Sequence, residues 1–155
     1  MGNEKIIEGA IGLGVTIVVV GGLLFWLKSV FRQRREEVKK RFRRINIIRQ
    51  HNVAHFYGKE SIGHVQARGN GVLVLTADEL YFLQALPRRE FVIPVGAITK
   101  VSNPRSHLGK SNMCKLLRVD FVIKRKEDAI AWNVDDVDAW TKAVEEARGA
   151  APESD

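Results

Sequence analysis

The middle of the chain carries three short runs that are rich in apolar residues. These runs are residues 71–76, 80–85 and 91–95, and the breaks between them are Ala77-Asp78 and Pro87-Arg88-Arg89. In the second and third runs the side chains alternate with a period of two, which is typical of strands with one buried face. The pattern predicts an antiparallel meander of three strands.

Three further strands are predicted around this meander. Residues 116–124 show the clearest alternation, and residues 130–134 follow them after a charged turn. Residues 61–67 have the composition of a first strand. The turn after it is expected at residues 68–71, because Asn-Gly favours positive φ. The polar segment 102–115 predicts a long surface loop.

A C-terminal helix is predicted over residues 136–148. Asp135 is placed to cap its N-terminus, and Gly149 its C-terminus. The apolar residues on one face of this helix are Val137, Trp140, Val144 and Ala147. A face one stripe wide packs on one side only, so the helix is expected to cover one end of the sheet, with Trp140 and Trp132 as core partners.

Near the N-terminus, residues 9–27 form a run of 19 residues without a charge. At about 1.5 Å per residue, a helix of this length spans a hydrocarbon core of roughly 30 Å. Trp26 lies where an interfacial aromatic residue is expected. A cleaved signal peptide is disfavoured, because the run is too long and no small-x-small site precedes the basic residues. The run predicts one transmembrane helix after a short extracytoplasmic segment, residues 1–8.

The next segment, residues 28–50, lacks Pro and Gly and is rich in helix formers. It is expected to continue the helix as a basic connector, with residues 51–60 as a linker. Phe31, Val38 and Ile45 recur every seven residues and form a narrow apolar stripe. Three alternatives remain open: the stripe packs on the sheet domain, it lies on anionic lipid, or it forms a parallel coiled coil and hence a homodimer.

Positive charge is concentrated in the first third of the chain. Residues 1–50 carry 11 Lys and Arg against 4 Asp and Glu, whereas residues 51–155 carry 14 of each sign. Only Lys5 precedes the apolar run, so the positive-inside rule places the C-terminal side in the cytoplasm. A basic excess that adjoins an apolar run indicates lipid headgroups and not nucleic acid as its partner. The cations expected to face anionic inner-leaflet lipid are Lys28, Arg32, Arg34, Arg35, Lys39, Lys40, Arg41, Arg43 and Arg44.

No constellation typical of catalysis is visible in the sequence. His51 and His55 are four residues apart, but no third metal ligand is evident. His64 and His107 are expected to be surface histidines, and the single cysteine, Cys114, an inert thiol. No phosphate-binding glycine loop and no Ser/His/Asp set stands out. The expectation is a protein that is not an enzyme and uses neither a cofactor nor a metal.

Two segments carry a resemblance to a known family. GVLVLTADELYF, residues 71–82, and EFVIPVGAITKV, residues 90–101, resemble the GRAM and bacterial pleckstrin-homology-like domains. The resemblance covers about residues 58–148. It implies an α+β, mainly β fold: a seven-stranded, bent antiparallel sandwich or barrel capped by a C-terminal helix, which in this chain follows the transmembrane helix.

The resemblance also bears on ligands, because pleckstrin-homology domains that bind phosphoinositides usually carry cations in the loop between their first two strands. In this chain only Arg68 lies in that loop, with Lys59 upstream. The candidate loop-binding cations are Lys59, Arg68, Arg88, Arg89, Arg105 and Lys110.

These observations predict a single-pass cell-membrane protein with a cytoplasmic pleckstrin-homology-like domain at residues 51–149 and a disordered tail at residues 150–155. Residues 51–155 are expected to fold alone. The expected function is a non-catalytic adaptor or scaffold for an unidentified protein partner at the inner membrane face. The alternative is a sensor of anionic lipid headgroups that uses the basic connector and the domain loops.

Overall fold

The computed structural model describes residues 2–111 and 113–151, with side chains from Val15 onward. The expected tail therefore lies outside the described residues from position 152. The chain divides into two compact units, with the boundary between Gln33 and Arg34. Helix α1, Gly2–Arg41, is 40 residues long and contributes to both units.

In the first unit, α1 carries the apolar run. Every side chain described from Val15 to Trp26 is exposed, and Phe25 is 72% exposed. In the described part of the chain, one helix is long and apolar enough to cross a membrane, and none of its most apolar stretch is buried. A signal sequence or the core helix of a soluble protein can have the same length and composition, but a core helix would bury these side chains.

The described part of the second unit is built mainly from strands. They are β1 (Ile47–Lys59), β2 (Gly69–Thr76), β3 (Glu79–Gln84), β4 (Arg89–Pro94), β5 (Ile98–Ser102), β6 (Ser106–His107), β7 (Lys110–Ser111), β8 (Leu117–Ile123) and β9 (Lys126–Asn133). Seven of these strands form one sheet in the order β4-β3-β2-β1-β9-β8-β5, so β4 and β5 are its outer strands. Strands β6 and β7 form a separate small hairpin, and the chain then ends in helix α2 (Val137–Ala150). The described chain is thus α+β, with most of its strands in one sheet.

The predicted meander is confirmed. Strands β2, β3 and β4 pair antiparallel, with Leu73 opposite Phe82 and Phe82 opposite Phe91. Residues that face each other across antiparallel strands point to the same side of the sheet, so these three side chains share one core. The two rings of Phe82 and Phe91 stack with their centroids 6.3 Å apart. The strands predicted around residues 116–124 and 130–134 are also confirmed, as β8 and β9.

The predicted extent of the connector helix is wrong. Helix α1 ends at Arg41, a turn follows in which the Ile45 amide donates to the Phe42 carbonyl, and the expected linker is part of the 13-residue strand β1. Isoleucine side chains are restricted in a helix and fit the surface of a sheet, and three of them lie between residues 45 and 48. A fragment cut at residue 51 would lose the start of β1, and the compact unit begins at Arg34 instead.

The predicted strand at residues 61–67 and the turn at residues 68–71 are also wrong. Residues Glu60–Ile62 form one turn of 3-10 helix, and β2 already begins at Gly69. Gly71 lies inside that strand because there is no room for a side chain: a Cβ there would lie 2.3 Å from the carbonyl oxygen of Leu83. The glycine signal therefore marks a close approach of two strands and not a turn.

Helix α2 packs on the main core as predicted, although both of its ends differ from the prediction. The N-cap is Asp136, whose carboxylate accepts from the Ala139 amide at 3.1 Å, and the C-cap is Ala151, so Gly149 lies within the helix. Trp132 and Trp140 are both fully buried in the same cluster. The helix thus supplies a large aromatic side chain to the core of the sheet.

We expect Trp140→Ala to destabilise the second unit strongly. Removing a fully buried Trp typically costs about 3–5 kcal/mol, which is a large part of the roughly 5–15 kcal/mol that stabilises a domain. Urea unfolding of the variant measures this loss directly.

The control is Lys142→Ala, because Lys142 is exposed on the same helix. The midpoint of urea unfolding of this variant should stay close to that of the wild type. Wild-type stability in Trp140→Ala would contradict the role of α2 as a structural cover.

Candidate functional site

The end of α1 is part of the second unit. Val38 and Phe42 are buried in a second apolar cluster, together with Val72, Tyr81 and Leu83 from strands β2 and β3. The ring of Phe42 meets that of Tyr81 edge-on, with centroids 5.2 Å apart. Of the three alternatives for the connector, the described residues therefore show the stripe packed on the sheet at Val38.

Arg41 ties this part of the helix to β3 and β4. Its guanidinium donates to Glu79 at 3.0 Å and to Glu90 at 3.3 Å. The same group lies 4.5 Å from the centre of the Tyr81 ring. Burial, and then the negative charge of Glu90, raise the pKa of the Tyr81 hydroxyl to about 12. Arg41 thus combines two ion pairs with a cation–π contact on one side of the sheet.

A second set of ion pairs joins the connector to the turn between β3 and β4. Arg34 donates to Glu37 at 2.5 Å, and the other oxygen of Glu37 lies 3.5 Å from the guanidinium of Arg88. The carboxylate of Glu37 thus bridges a cation of the helix and a cation of the turn.

The nine cations predicted to face lipid therefore fall into two groups. Arg34, Lys39 and Arg41 have carboxylate partners, and the partner of Lys39 is Glu36 at 2.8 Å. The other six are exposed and form no salt bridge with a described residue: Lys28, Arg32, Arg35, Lys40, Arg43 and Arg44. These six keep their charges available to a ligand.

The candidate loop cations are distributed over several contacts. Lys59 pairs with Asp128 at 3.1 Å. Arg68 lies 4.8 Å from the ring centre of Tyr57, and it lowers the pKa of Lys110, after the larger effect of burial. Lys110 donates to the carbonyl of Gln66, two residues before Arg68, at 3.1 Å.

The other three candidate loop cations have different surroundings from Arg68 and Lys110. Arg88 is held by Glu37, and Arg89 has one buried guanidinium nitrogen without a hydrogen-bond partner among the described residues. Arg105 is exposed in the segment between β5 and β6.

A polar network around one buried histidine was missed from the sequence. His107 is 2% exposed, so its prediction as a surface histidine is wrong, whereas His64 is exposed. The His107 ring contacts the Gly58 carbonyl at 3.1 Å and the Arg118 guanidinium at 3.4 Å. Arg118 also pairs with Glu60 at 2.8 Å and with Asp120 at 2.7 Å. The network holds the segment after β5 against β1 and β8.

Burial and the positive charge of Arg118 lower the pKa of His107. Among the described residues, no group of three His, Cys, Asp or Glu is arranged to hold a metal ion. Cys114 is exposed.

An open apolar groove runs beside the C-terminal half of α2, with a volume of about 480 Å³. Alanines of α2, Ile48 of β1 and Gly96 line this α2 groove, and Asp78 and Glu146 add two carboxylates. The sequence did not reveal it, because its lining comes from four separate segments that meet only in the folded chain.

Comparison with known proteins bears on the fold. No protein-family model and no curated protein sequence matches the chain. Among solved structures, the chain is similar to the C-terminal domain of an unknown protein from Leishmania infantum, with a TM-score of 0.50 and 15% identity over 78% of this chain and 96% of that chain. It is also similar to a chain of the 8S snRNP assembly intermediate, with a TM-score of 0.55 and 12% identity over 70% of this chain and 86% of that chain. At these identities the likeness concerns the fold alone.

We expect the stability of the second unit to fall as the pH rises above about 10, the ordinary pKa of tyrosine. The unfolded chain releases the proton of Tyr81 near that pH, whereas the folded chain keeps it up to about pH 12. Over this interval the unfolded state is stabilised relative to the folded state, so the free energy of unfolding falls. The contribution of Tyr81 to this fall is complete once the pH passes its pKa in the folded chain. The free energy of unfolding, measured by urea at increasing pH, should show this slope.

The variant Tyr81→Phe should remove the contribution of Tyr81 to that slope, and Tyr57→Phe serves as the matched control. An unchanged slope in Tyr81→Phe would contradict the raised pKa.

Proposed function

We propose that this chain is a single-pass membrane protein whose second unit is a pleckstrin-homology-like, GRAM-like binding module. In this proposal the module acts without catalysis as an adaptor or scaffold for a protein partner at the cytoplasmic face of the cell membrane. The observation that carries the proposal is the change of burial along helix α1. Its apolar side chains are exposed from Val15 to Trp26, whereas the side chain of Val38 is buried.

The exposed apolar run supports membrane anchoring. Apolar surface left in water costs on the order of 25 cal/mol per Å², and isolated proteins rarely expose a long continuous apolar segment. None of the most apolar stretch is buried within the described chain. A lipid bilayer removes this cost.

The distribution of charge supports the orientation. Ten cations follow the apolar run up to residue 50, and only Lys5 precedes it. Cytoplasmic flanks of membrane helices carry such an excess. We infer that the N-terminus lies outside and that the second unit lies in the cytoplasm.

The strand order and α2 support the assignment to the pleckstrin-homology-like class. The sheet has seven strands in a single antiparallel series, and α2 packs on its core through Trp140 and Val144. Both features agree with the resemblance of residues 71–82 and 90–101 to that family. The open α2 groove supports binding, because its walls are apolar side chains that suit contact with another protein.

A second candidate function is the recognition of anionic lipid headgroups. The six exposed connector cations without a salt bridge to a described residue favour it. Near an anionic membrane surface, each such charge contributes about 1 kcal/mol within a Debye length. On this view the partner of the module is the membrane itself.

The orientation is tested by labelling intact cells with a membrane-impermeant thiol reagent. Cys114→Ser removes the single native thiol, and Asn3→Cys and Ser154→Cys then provide one site on each side. We expect labelling at position 3 and none at position 154. The opposite pattern would overturn the cytoplasmic assignment.

The two candidate functions are separated with the compact unit, residues 34–155, and vesicles of neutral or anionic lipid. The adaptor hypothesis predicts that the unit stays in the supernatant with vesicles of either neutral or anionic lipid. It also predicts that cross-linking of the full chain in cells gives a protein adduct, which an excess of the free unit suppresses.

The sensor predicts sedimentation with anionic vesicles only, reduced in Arg43→Gln/Arg44→Gln and unchanged in the control Arg125→Gln, which lies in the turn between β8 and β9. That result, together with the absence of a cross-linked protein adduct that the free unit suppresses, would replace the adaptor hypothesis by the sensor hypothesis.

A further inference from the structure

Exposed apolar and basic side chains lie in the sequence just before and at Ile48, a residue that lines the α2 groove. Ile45 is 47% exposed and Ile48 is 46% exposed, both close in sequence to the start of β1. Arg43 and Arg44 directly precede them, are exposed, and form no salt bridge with a described residue. Residues 43–48, here called the projection, thus combine two exposed isoleucines with two available positive charges.

The α2 groove has the complementary properties. Its small lining residues leave a concave apolar space, and a Cβ atom added at Gly96 would have no described atom within 4 Å apart from its chain neighbours. Asp78 is exposed and forms no salt bridge with a described residue. Among the same residues, the one salt bridge of Glu146 is a long contact of 3.8 Å with Lys142. The groove thus offers apolar surface with two weakly neutralised negative charges.

We propose that a second copy of this chain covers the α2 groove. The projection and the groove share Ile48, so one continuous surface carries both halves of a complementary pair. A surface of this kind suits a two-fold symmetric dimer, in which each contact between two different residues occurs twice. In that dimer, Ile45 of one copy enters the groove of the other, and Arg43 and Arg44 face Asp78 and Glu146 across the interface.

The charge of the groove argues against the chain's own last residues as the occupant. Residues 152–155 follow Ala151 directly and contain Glu153 and Asp155. These carboxylates would meet Asp78 and Glu146, and like charges in a partly desolvated site repel each other. A basic segment is the better match, and residues 43–45 combine two arginines with an isoleucine.

A second copy on the α2 groove occupies the surface that would otherwise be open to another protein, so a recruited partner would bind elsewhere on the module. Anchoring to one membrane would only strengthen the dimer, because two tethered copies meet at a higher effective concentration than two free ones. Failure of the dimer would leave the adaptor and sensor hypotheses untouched.

The test is the dissociation constant of the full chain in mild detergent, measured by sedimentation equilibrium. Gly96→Leu fills the groove where space is open, and Asp78→Arg reverses a charge in it. Each should weaken the dimer by on the order of tenfold, the equivalent of about 1.4 kcal/mol. Arg44→Glu should weaken it similarly, and the combined Asp78→Arg/Arg44→Glu variant should restore most of the affinity because it exchanges the two charges.

The matched control is Glu127→Arg, a charge reversal at an exposed position of β9. It should leave the dissociation constant unchanged, and circular dichroism should show that every variant is folded. A full chain that stays monomeric at all concentrations would overturn the proposal. A dimer that is indifferent to Gly96→Leu and Asp78→Arg would overturn it as well, since the copies would then associate through another surface.

Discussion

Val38 and Phe42 pack on the face of β2 and β3 that points away from the main core, and the second unit depends on this contact. Successive residues of a strand point to opposite faces, so Leu73 enters the main core while Val74 enters the second cluster. Both faces of these two strands are therefore apolar, and both need a cover. Helix α2 and the rest of the sheet cover one face, and the end of α1 covers the other.

This constraint explains where the second unit begins. A domain that started at β1 would expose Val72, Val74 and Leu83 to water, so the last turns of α1 are structurally part of the domain. Arg41 strengthens the attachment by pairing with carboxylates on β3 and β4. The connector is consequently not a passive spacer, since the residues that follow the apolar run also complete the fold.

The sequence predicted those elements whose pattern is local. The meander, strands β8 and β9, and helix α2 all show a clear period over a few residues, and all three predictions are confirmed. Strand β1 was missed because residues 28–44 favour helix and no Pro or Gly marks the change near Ile45. Asn70-Gly71 suggested a turn because Asn-Gly favours positive φ. The tight contact that requires Gly71 arises only when its strand pairs with that of Leu83, so the sequence did not reveal it.

The candidate sites were harder to predict than the fold, because they depend on contacts between distant segments. The sequence named the cations of the connector, but it could not distinguish Arg41, which two carboxylates hold, from Arg44, which has no such partner among the described residues. His107 gave no signal of burial, since its partners Gly58 and Arg118 lie 49 and 11 residues away. The α2 groove likewise exists only after four segments have met.

The two outer strands of the sheet also limit how copies of this protein can associate. Strand β4 begins at Arg89, continues with Glu90 and ends at Pro94, while β5 carries Lys100. Charged residues and proline on an outer strand hinder the addition of a further strand from another molecule. Under the proposed membrane anchoring, copies of the chain would be confined to one surface, where exposed strand edges favour aggregation. The composition of β4 and β5 therefore protects the chain from growing into mixed sheets with its neighbours, and leaves side-chain surfaces as the route to specific assembly.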